Sequence, residues 1–439
     1  MATNGQLVAA QLEAVDPLVH DWFETSDTVA QFLRSGTKNH QISPFNTQDL
    51  FGQSGLQGFR IVIKKFRGGD VRAVNLDQGD FGDGSTMSLS YMTIGYFATA
   101  LVQNFSQLQM DGMVTNSQAV VKYFQDSISG MLEEMQWYDD AGCFSDGTGV
   151  IASGSGSGSP SGTNPTYNLE PNFGPQRLRV NQPVGVWDTT LATYKNSGTV
   201  RVASFDPVAK TVTLSGTVTS PVNTDKLTFD GLSASAPLSV GSFRNGIYTF
   251  QNASSSGSTL GLPRSTNPEV ITPNVNAAGP LVPAHAMLLQ DILIQRRDES
   301  AYRKLVGFLH QAQRAQIVLN GLAITDWMRT KTDESLIDLL PKNIKADDTV
   351  QLGGVIHKVA KKADRSRVDW LNHDAFGYVQ LDKVKFHQDL DGRRLFEGRS
   401  SSGTVLAKWQ SILRQQDNLY SADPGAGGMI YGLTLAQGY

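Results

Sequence analysis

Cysteine is almost missing from this chain: Cys143 is the single one in 439 residues. That excludes an intrachain disulfide and any zinc cluster built on thiolates. Histidine is scarce as well. The seven, at 20, 40, 285, 310, 357, 373 and 387, form neither a His-x-x-x-His nor a Glu-x-x-His pair, so no helical metal site is expected. No apolar run approaches the roughly 18 residues of a membrane span. Met1-Ala2-Thr3-Asn4-Gly5 lacks the basic start and apolar stretch of a signal peptide, so cytoplasmic synthesis is expected. Catalytic signatures are also wanting: no Gly-x-Ser-x-Gly elbow occurs, and Cys143 follows no protease pattern. No catalytic residue and no cofactor are expected.

Charge is thin. Asp, Glu, Lys and Arg make up 18% of the chain, against roughly 25% in ordinary soluble proteins. Surfaces short of charge often meet other protein. The net charge of -4 is unevenly placed: residues 1–150 hold 8 Lys/Arg against 17 Asp/Glu, and the remainder holds 29 against 24. Opposite signs in two parts of one chain favour self-association. They do not make a tight nucleic-acid binder, which needs a clustered basic face and a high pI; here the pI is about 6.0. With 40% hydrophobic residues the chain can bury a sizeable core.

What is present is organised by texture. Residues 1 to about 50 are polar with sparse apolar patches such as Trp22-Phe23, and read as an arm that packs elsewhere. Phe59, Ile61 and Ile63 alternate with Arg60 and Lys64 in a strand signal over Gly58–Val74, with a turn at Phe66-Arg67-Gly68-Gly69-Asp70; a second extended limb runs from about Ser85 to Leu101. A two-stranded ribbon is marginal alone and needs a partner surface. From Ser117 to about Tyr138, Val120, Phe124, Ile128, Met131, Met135 and Tyr138 recur every three or four residues, the stripe of an amphipathic helix. Its polar side includes Lys122, Gln125, Asp126, Glu133 and Glu134, and the acidic step Asp139-Asp140 follows.

The tract Ala152 to Gly162 alternates Gly and Ser, lacks the Gly-Lys-Ser/Thr ending of a phosphate loop, and reads as a linker. Residues 176 to about 250 have β texture, with Thr199–Val202 and Thr211–Leu214 flanking an Asp206-Pro207 turn. Helical spacing returns over Pro283–Asp298, followed by a strand at Leu305–Leu309, a helix from about Gln311 to Leu322, and strands from 350 onward. The basic cluster Lys361, Lys362, Arg365 and Arg367, interrupted by Asp364 and Asp369, reads as a solvated loop. The mixture is α+β without βαβ alternation.

The order of these elements resembles the major capsid proteins of tailed bacteriophages, the Hong Kong 97 fold family. The resemblance rests on the arm, the extended hairpin, the long helix with Asp146-Gly147-Thr148-Gly149-Val150 at its end, and the turn Asn245-Gly246-Ile247-Tyr248. It continues through Leu305–Phe308 with the helix near His310, Leu352-Gly353-Gly354-Val355-Ile356, and the ending Asp417 to Pro424 before Met429–Leu433, read as a closing strand pair. It implies an N-terminal arm (1–50), an E-loop hairpin (51–100), a P-domain with a spine helix and the Gly/Ser loop (101–175), a small antiparallel β unit (176–245), an A-domain (246–380) and C-terminal strands returning to both domains (381–439).

The function implied is structural: self-assembly into the hexamers and pentamers of an icosahedral virion shell that encloses double-stranded DNA, assembled in the host bacterial cytoplasm. The partners implied are further copies of the chain, portal and scaffolding proteins, a decoration or cement protein, and DNA contacted weakly and without sequence preference. A procapsid that expands on packaging is implied as well. Within that frame Lys64, Lys65, Arg67 and Arg72 are expected to meet an acidic surface on a neighbouring subunit, with Glu133, Glu134, Asp139 and Asp140 as its members. A Ser/Thr/Gly-rich adhesive or receptor-binding β protein is the other structural class the middle of the chain suits; the long helix disfavours it.

Overall fold

The computed structural model describes residues 29, 30, 33, 58–66, 88–95, 97–106, 117–170, 174–207, 209–229, 243–296, 305–317, 349–352, 354–388, 393–399 and 405–435. The ribbon is formed by β1 (Gly58–Phe66) and β2 (Ser88–Gly95), antiparallel, with Phe59 opposite Ile94 and Ile61 opposite Met92. Ile61, Met92 and Ile94 are buried in a core shared with Ala30 and Leu33 of the arm. The second limb is not one strand. After residue 96 the chain continues as β3 (Phe97–Ser106), which leaves the ribbon for a different sheet. The turn expected at Phe66–Asp70 falls almost wholly outside the described residues.

The long helix α1 spans Ser117–Cys143. At about 1.5 Å per residue it is roughly 40 Å long. Ile128, Met131 and Met135 are buried as their spacing requires, while Lys122, Gln125, Asp126, Glu133 and Glu134 face outward. Each such burial contributes roughly 1.5–3 kcal/mol. The side chains of Val120 and Phe124 lie outside the described residues. The helix runs five residues beyond Tyr138 because Asp139, Ala141 and Cys143 are buried and extend its inner face. The acidic step is therefore the last turn of the helix, not its exit.

After α1 come β4 (Val150–Ser153), β5 (Thr166–Asn168), β6 (Val184–Trp187), β7 (Arg201–Asp206), β8 (Thr211–Ser215) and β9 (Lys226–Phe229). They form two three-stranded sheets, β4-β9-β6 and β5-β8-β7, around one core that includes Ile151, Tyr167, Val186, Val202, Leu214 and Leu227. The β unit expected from 176 thus begins at Val150. The Gly/Ser tract belongs to it: Gly154 N donates to Asp225 O at 2.8 Å, Ser155 N to Asn168 O at 2.7 Å, and Gly154 bridges Leu169. Main-chain hydrogen bonds within the chain order a stretch whose composition reads as a linker.

A short helix, α2 (Ile247–Phe250), follows, then the small strands β10 (Ser258–Thr259) and β11 (Leu262–Pro263), β12 (Asn274–Gly279), the helix α3 (Pro283–Arg296) and β13 (Leu305–Leu309). A further helix occupies 311–317, and the rest of the segment expected to run to Leu322 lies outside the described residues. The remaining strands are β14 (Thr349–Leu352), β15 (Val355–Val359), β16 (Val368–Asn372), β17 (Phe376–Phe386), β18 (Leu395–Arg399), β19 (Val405–Ser421) and β20 (Gly428–Leu433).

Six strands form a mixed sheet in the order β12-β20-β16-β13-β15-β14, with β12/β20 and β13/β15 parallel. Ala286, Leu289 and Leu293 of α3 enter the core of this sheet with Trp370 and Ile430. The other large sheet centres on β19, which pairs with β17 and β18 along one edge and with β3 along the other. Phe105, Val384, Phe386, Leu395 and Leu413 of this sheet pack with Ile128, Met131 and Met135 of α1. β19 and β20, read as a closing pair, do not pair with each other. Pro424–Ala426 turns the chain from one sheet into the other.

Candidate assembly site

The last turn of α1 meets the rest of the subunit through buried charge. Arg244, just ahead of α2, is 0% exposed. Its Nη1 pairs with the Asp139 carboxylate and lies 3.8 Å from Asp417 Oδ1, while Nη2 donates to the Tyr378 hydroxyl. Gln415 Nε2 donates to Asp139 Oδ1 at 2.7 Å, and Tyr378 Oη lies 3.0 Å from Cys143 Sγ. Asn245 N donates to Asn418 Oδ1 at 2.7 Å. Four elements are locked at one point: α1, the segment entering α2, β17 and β19. Burial alone would lower the guanidinium's pKa, but the carboxylates of Asp139 and Asp417 outweigh it and hold Arg244 charged. Burial also pushes the Cys143 thiol and the Tyr378 phenol up, which disfavours the thiolate.

The loop between β15 and β16 is docked, contrary to its reading as a solvated loop. Lys362 Nζ sits 4.7 Å over the Trp137 ring and donates to Gln176 O at 3.0 Å, and Arg177 Nε donates back to Lys362 O at 2.9 Å. Arg367 and Arg177 lie 4.0 and 5.4 Å from the Tyr248 ring, and Arg367 pairs with Asp369. Aromatic faces and carbonyl oxygens accept these cations, which composition alone assigns to water. Burial lowers the Lys362 amine to about 8.

The eight contact candidates separate. Lys64 and Lys65 lie on β1 beside a register shift between Lys64 and Phe66. Their side chains, and Arg67 and Arg72 altogether, lie outside the described residues. Glu133 and Glu134 are exposed on α1, and Glu134 pairs with Arg179 of its own chain at 3.0 Å. Asp139 is 1% exposed and serves Arg244 internally, so it cannot belong to an outward acidic surface. Asp140 also turns inward: its Oδ1 accepts the backbone N–H of Val29 at 3.2 Å, fixing the arm where Ala30 and Leu33 enter the core. Arg244 carried no sequence signal of its burial: it stands in Phe243-Arg244-Asn245-Gly246, whose composition is that of a turn.

Burial, and then the Asp139 charge, raise Asp140 to about 6 from 3.8. Between those values the folded state holds a proton that the unfolded chain has released, so this group's contribution to stability falls as pH rises through the window. Asp140→Asn keeps an acceptor for Val29 and removes the charge. The variant is expected to be more stable than the parent at pH 7, with the gain vanishing by about pH 4; urea midpoints at the two pH values measure it.

One face of α3 is left apolar and open: Met287 is 59% and Leu288 50% exposed. Among the described residues no group of three or more His, Cys, Asp or Glu could hold a metal ion, and no helix is long and apolar enough to cross a membrane.

No family model matches the sequence, and no curated protein matches it. Among solved structures the chain is similar to a chain of the cyanophage A-1(L) capsid asymmetric unit, at 10% identity and a TM-score of 0.49 over 87% of this chain and 89% of that one. It is also similar to a chain of the capsid of the native GTA particle, at 10% identity and a TM-score of 0.42 over 93% and 94%. A chain of Mycobacterium phage Patience is similar at 8% identity and a TM-score of 0.38 over 98% and 88%.

Proposed function

We propose that the chain is the major capsid protein of a tailed bacteriophage, a subunit that assembles into hexamers and pentamers of an icosahedral shell around double-stranded DNA. The observation that carries this reading is where the elements meet. The arm and ribbon share a core with the end of the long helix, and the C-terminal strand β19 returns to complete the sheet beneath that helix. In this reading the ribbon is the E-loop, α1 over the β19 sheet is the P-domain, and the six-stranded sheet with α3 is the A-domain. The role is structural, without catalysis. The open apolar face of α3 fits a subunit completed by neighbours, because such patches on soluble proteins mark contact surfaces. Scaffolding, portal and decoration proteins, with weakly contacted DNA, are the further partners of such a shell.

Negative-stain images and sedimentation of the expressed chain test the proposal. Capsomers, tubes or shells sedimenting far ahead of a 47.6 kDa monomer are expected. A chain that stays monomeric at every concentration and with scaffold present would refute it.

A further inference from the structure

One cation of the docked β15–β16 loop is left over. Arg244 has its charge met by two carboxylates, Arg367 by Asp369, and Arg177 by the Tyr248 ring and the Lys362 carbonyl. Arg365, in the same loop as Lys362 and Arg367, has no such partner. It is 7% exposed, its Nε is buried without a hydrogen bond, and among the described residues no carboxylate pairs with its guanidinium. The nearest acid in sequence, Asp364, is taken up by Ser366, whose N and Oγ donate to its Oδ1 at 2.8 and 2.9 Å. Burial lowers the Arg365 pKa with nothing to oppose it, whereas carboxylates hold Arg244 and Arg367 up. An arginine does not shed its proton to escape burial, so it calls for an anion.

Two further groups stand beside it. β13 and β15 are parallel neighbours; His310 and Gln313 follow β13 and Arg365 lies in the loop after β15, so all three gather at one end of the six-stranded sheet. Gln313 Nε2 donates to Arg365 O at 2.6 Å and to Thr434 O at 3.2 Å, which leaves Gln313 Oε1 a buried acceptor without a donor. His310 Nδ1 accepts the Ala312 N–H at 3.1 Å, so the ring proton sits on Nε2. Burial, and then the Arg365 charge, lower His310 to about 4 and keep it neutral at pH 7.

We propose that His310, Gln313 and Arg365 form a binding site for inorganic phosphate. The guanidinium supplies the charge and a planar set of donors, which phosphate oxygens match. The imidazole Nε2–H adds a neutral donor. Gln313 Oε1 chooses among oxyanions, because hydrogen phosphate carries an O–H to give it, whereas sulfate and a phosphodiester carry none. Water would serve the Arg365 Nε but not its charge. His310 is as little exposed as Arg365, an opening that suits a small ion and not a polymer. The site belongs to the fold of one subunit and does not depend on the capsid reading.

Thermal melting of the full-length chain, followed by circular dichroism at pH 7 and constant ionic strength in chloride, tests it. Millimolar inorganic phosphate is expected to raise the midpoint by a few degrees, because a ligand that binds only the folded state stabilises it. Sulfate, and a DNA oligonucleotide without terminal phosphates, are expected to leave it unchanged. Arg365→Met separates a ligand site from a merely structural cation. Without phosphate this variant is expected to melt above the parent, since an uncompensated buried charge is gone, and phosphate is expected to add nothing. His310→Asn keeps an acceptor for the Ala312 N–H and removes the Nε2 donor; about tenfold more phosphate is expected to be needed for the same rise. The proposal is overturned by a parent that does not respond to phosphate, by an equal response in Arg365→Met, or by an equal response of the parent to sulfate or the oligonucleotide. A folded Arg365→Met that melts below the parent without phosphate also overturns it, because the protein itself would then be meeting the charge. If Arg365→Met does not fold, His310→Asn decides, and an unchanged phosphate response from it overturns the proposal.

Discussion

Arg244→Met is expected to destabilise the subunit by about 3–5 kcal/mol, the cost of removing one member of a buried ion pair. The substitution keeps the side chain's bulk and deletes its charge. Asp139 and Asp417, 1% and 0% exposed, would be left close together without the guanidinium that neutralises them. The helix adds to the penalty: Asp139 stands in the last turn of α1, where the carbonyl ends of the helix dipole disfavour negative charge. Guanidinium titration followed by circular dichroism measures the loss. A triple variant, Arg244→Met with Asp139→Asn and Asp417→Asn, is expected to recover most of it, because buried charge is worst when only one sign remains. Recovery would establish that the node's cost is electrostatic. A single variant within about 1 kcal/mol of the parent would mean that water reaches these carboxylates.

The elements that were legible in sequence are those whose signal is local. The stripe Ile128, Met131 and Met135 gave α1, and the short runs Leu305–Leu309 and Thr211–Leu214 gave strands, because a helix or strand with one buried face writes its period into adjacent residues. What failed depended on distant partners. Asp139 and Asp140 read as an exposed acidic exit, yet the groups that draw them inward are Arg244 and the main chain of Val29, 105 and 111 residues away. Lys362 and Arg367 read as solvated because Trp137 and Tyr248, the rings that receive them, lie far off in the chain. The second limb of the hairpin looked continuous because β3 finds its partner, β19, some three hundred residues later. For the assembly surface that the proposed function calls for, the same limit applies twice over: in that reading its contact partners belong to another copy, so only charge sign and exposure speak for it, and sign misled because Asp139 and Asp140 turn inward.

Gly154→Ala provides the sharpest contrast between composition and structure. In a Gly/Ser linker this exchange is neutral or slightly stabilising, since alanine restricts the unfolded chain. Here a β-carbon on Gly154 would stand 1.9 Å from the carbonyl oxygen of Asn223, main chain that is itself tied into the β unit. The backbone must part, and the two bonds that hold the tract, Gly154 N to Asp225 O and Ser155 N to Asn168 O, lengthen with it. A loss of about 1–3 kcal/mol, the usual range for overpacking, is expected, and more if the β4-β9 pairing opens. Gly130→Ala is the matched control: it lies on the exposed side of α1 with nothing within 4 Å of the added carbon. There alanine should stabilise by roughly 0.5–1 kcal/mol through helix propensity. Thermal midpoints moving in opposite directions would establish that the tract is an ordered part of the β unit. If both variants gain stability, residues 152–162 behave as the linker that their composition describes, and the hydrogen bonds of Gly154 contribute nothing to the fold.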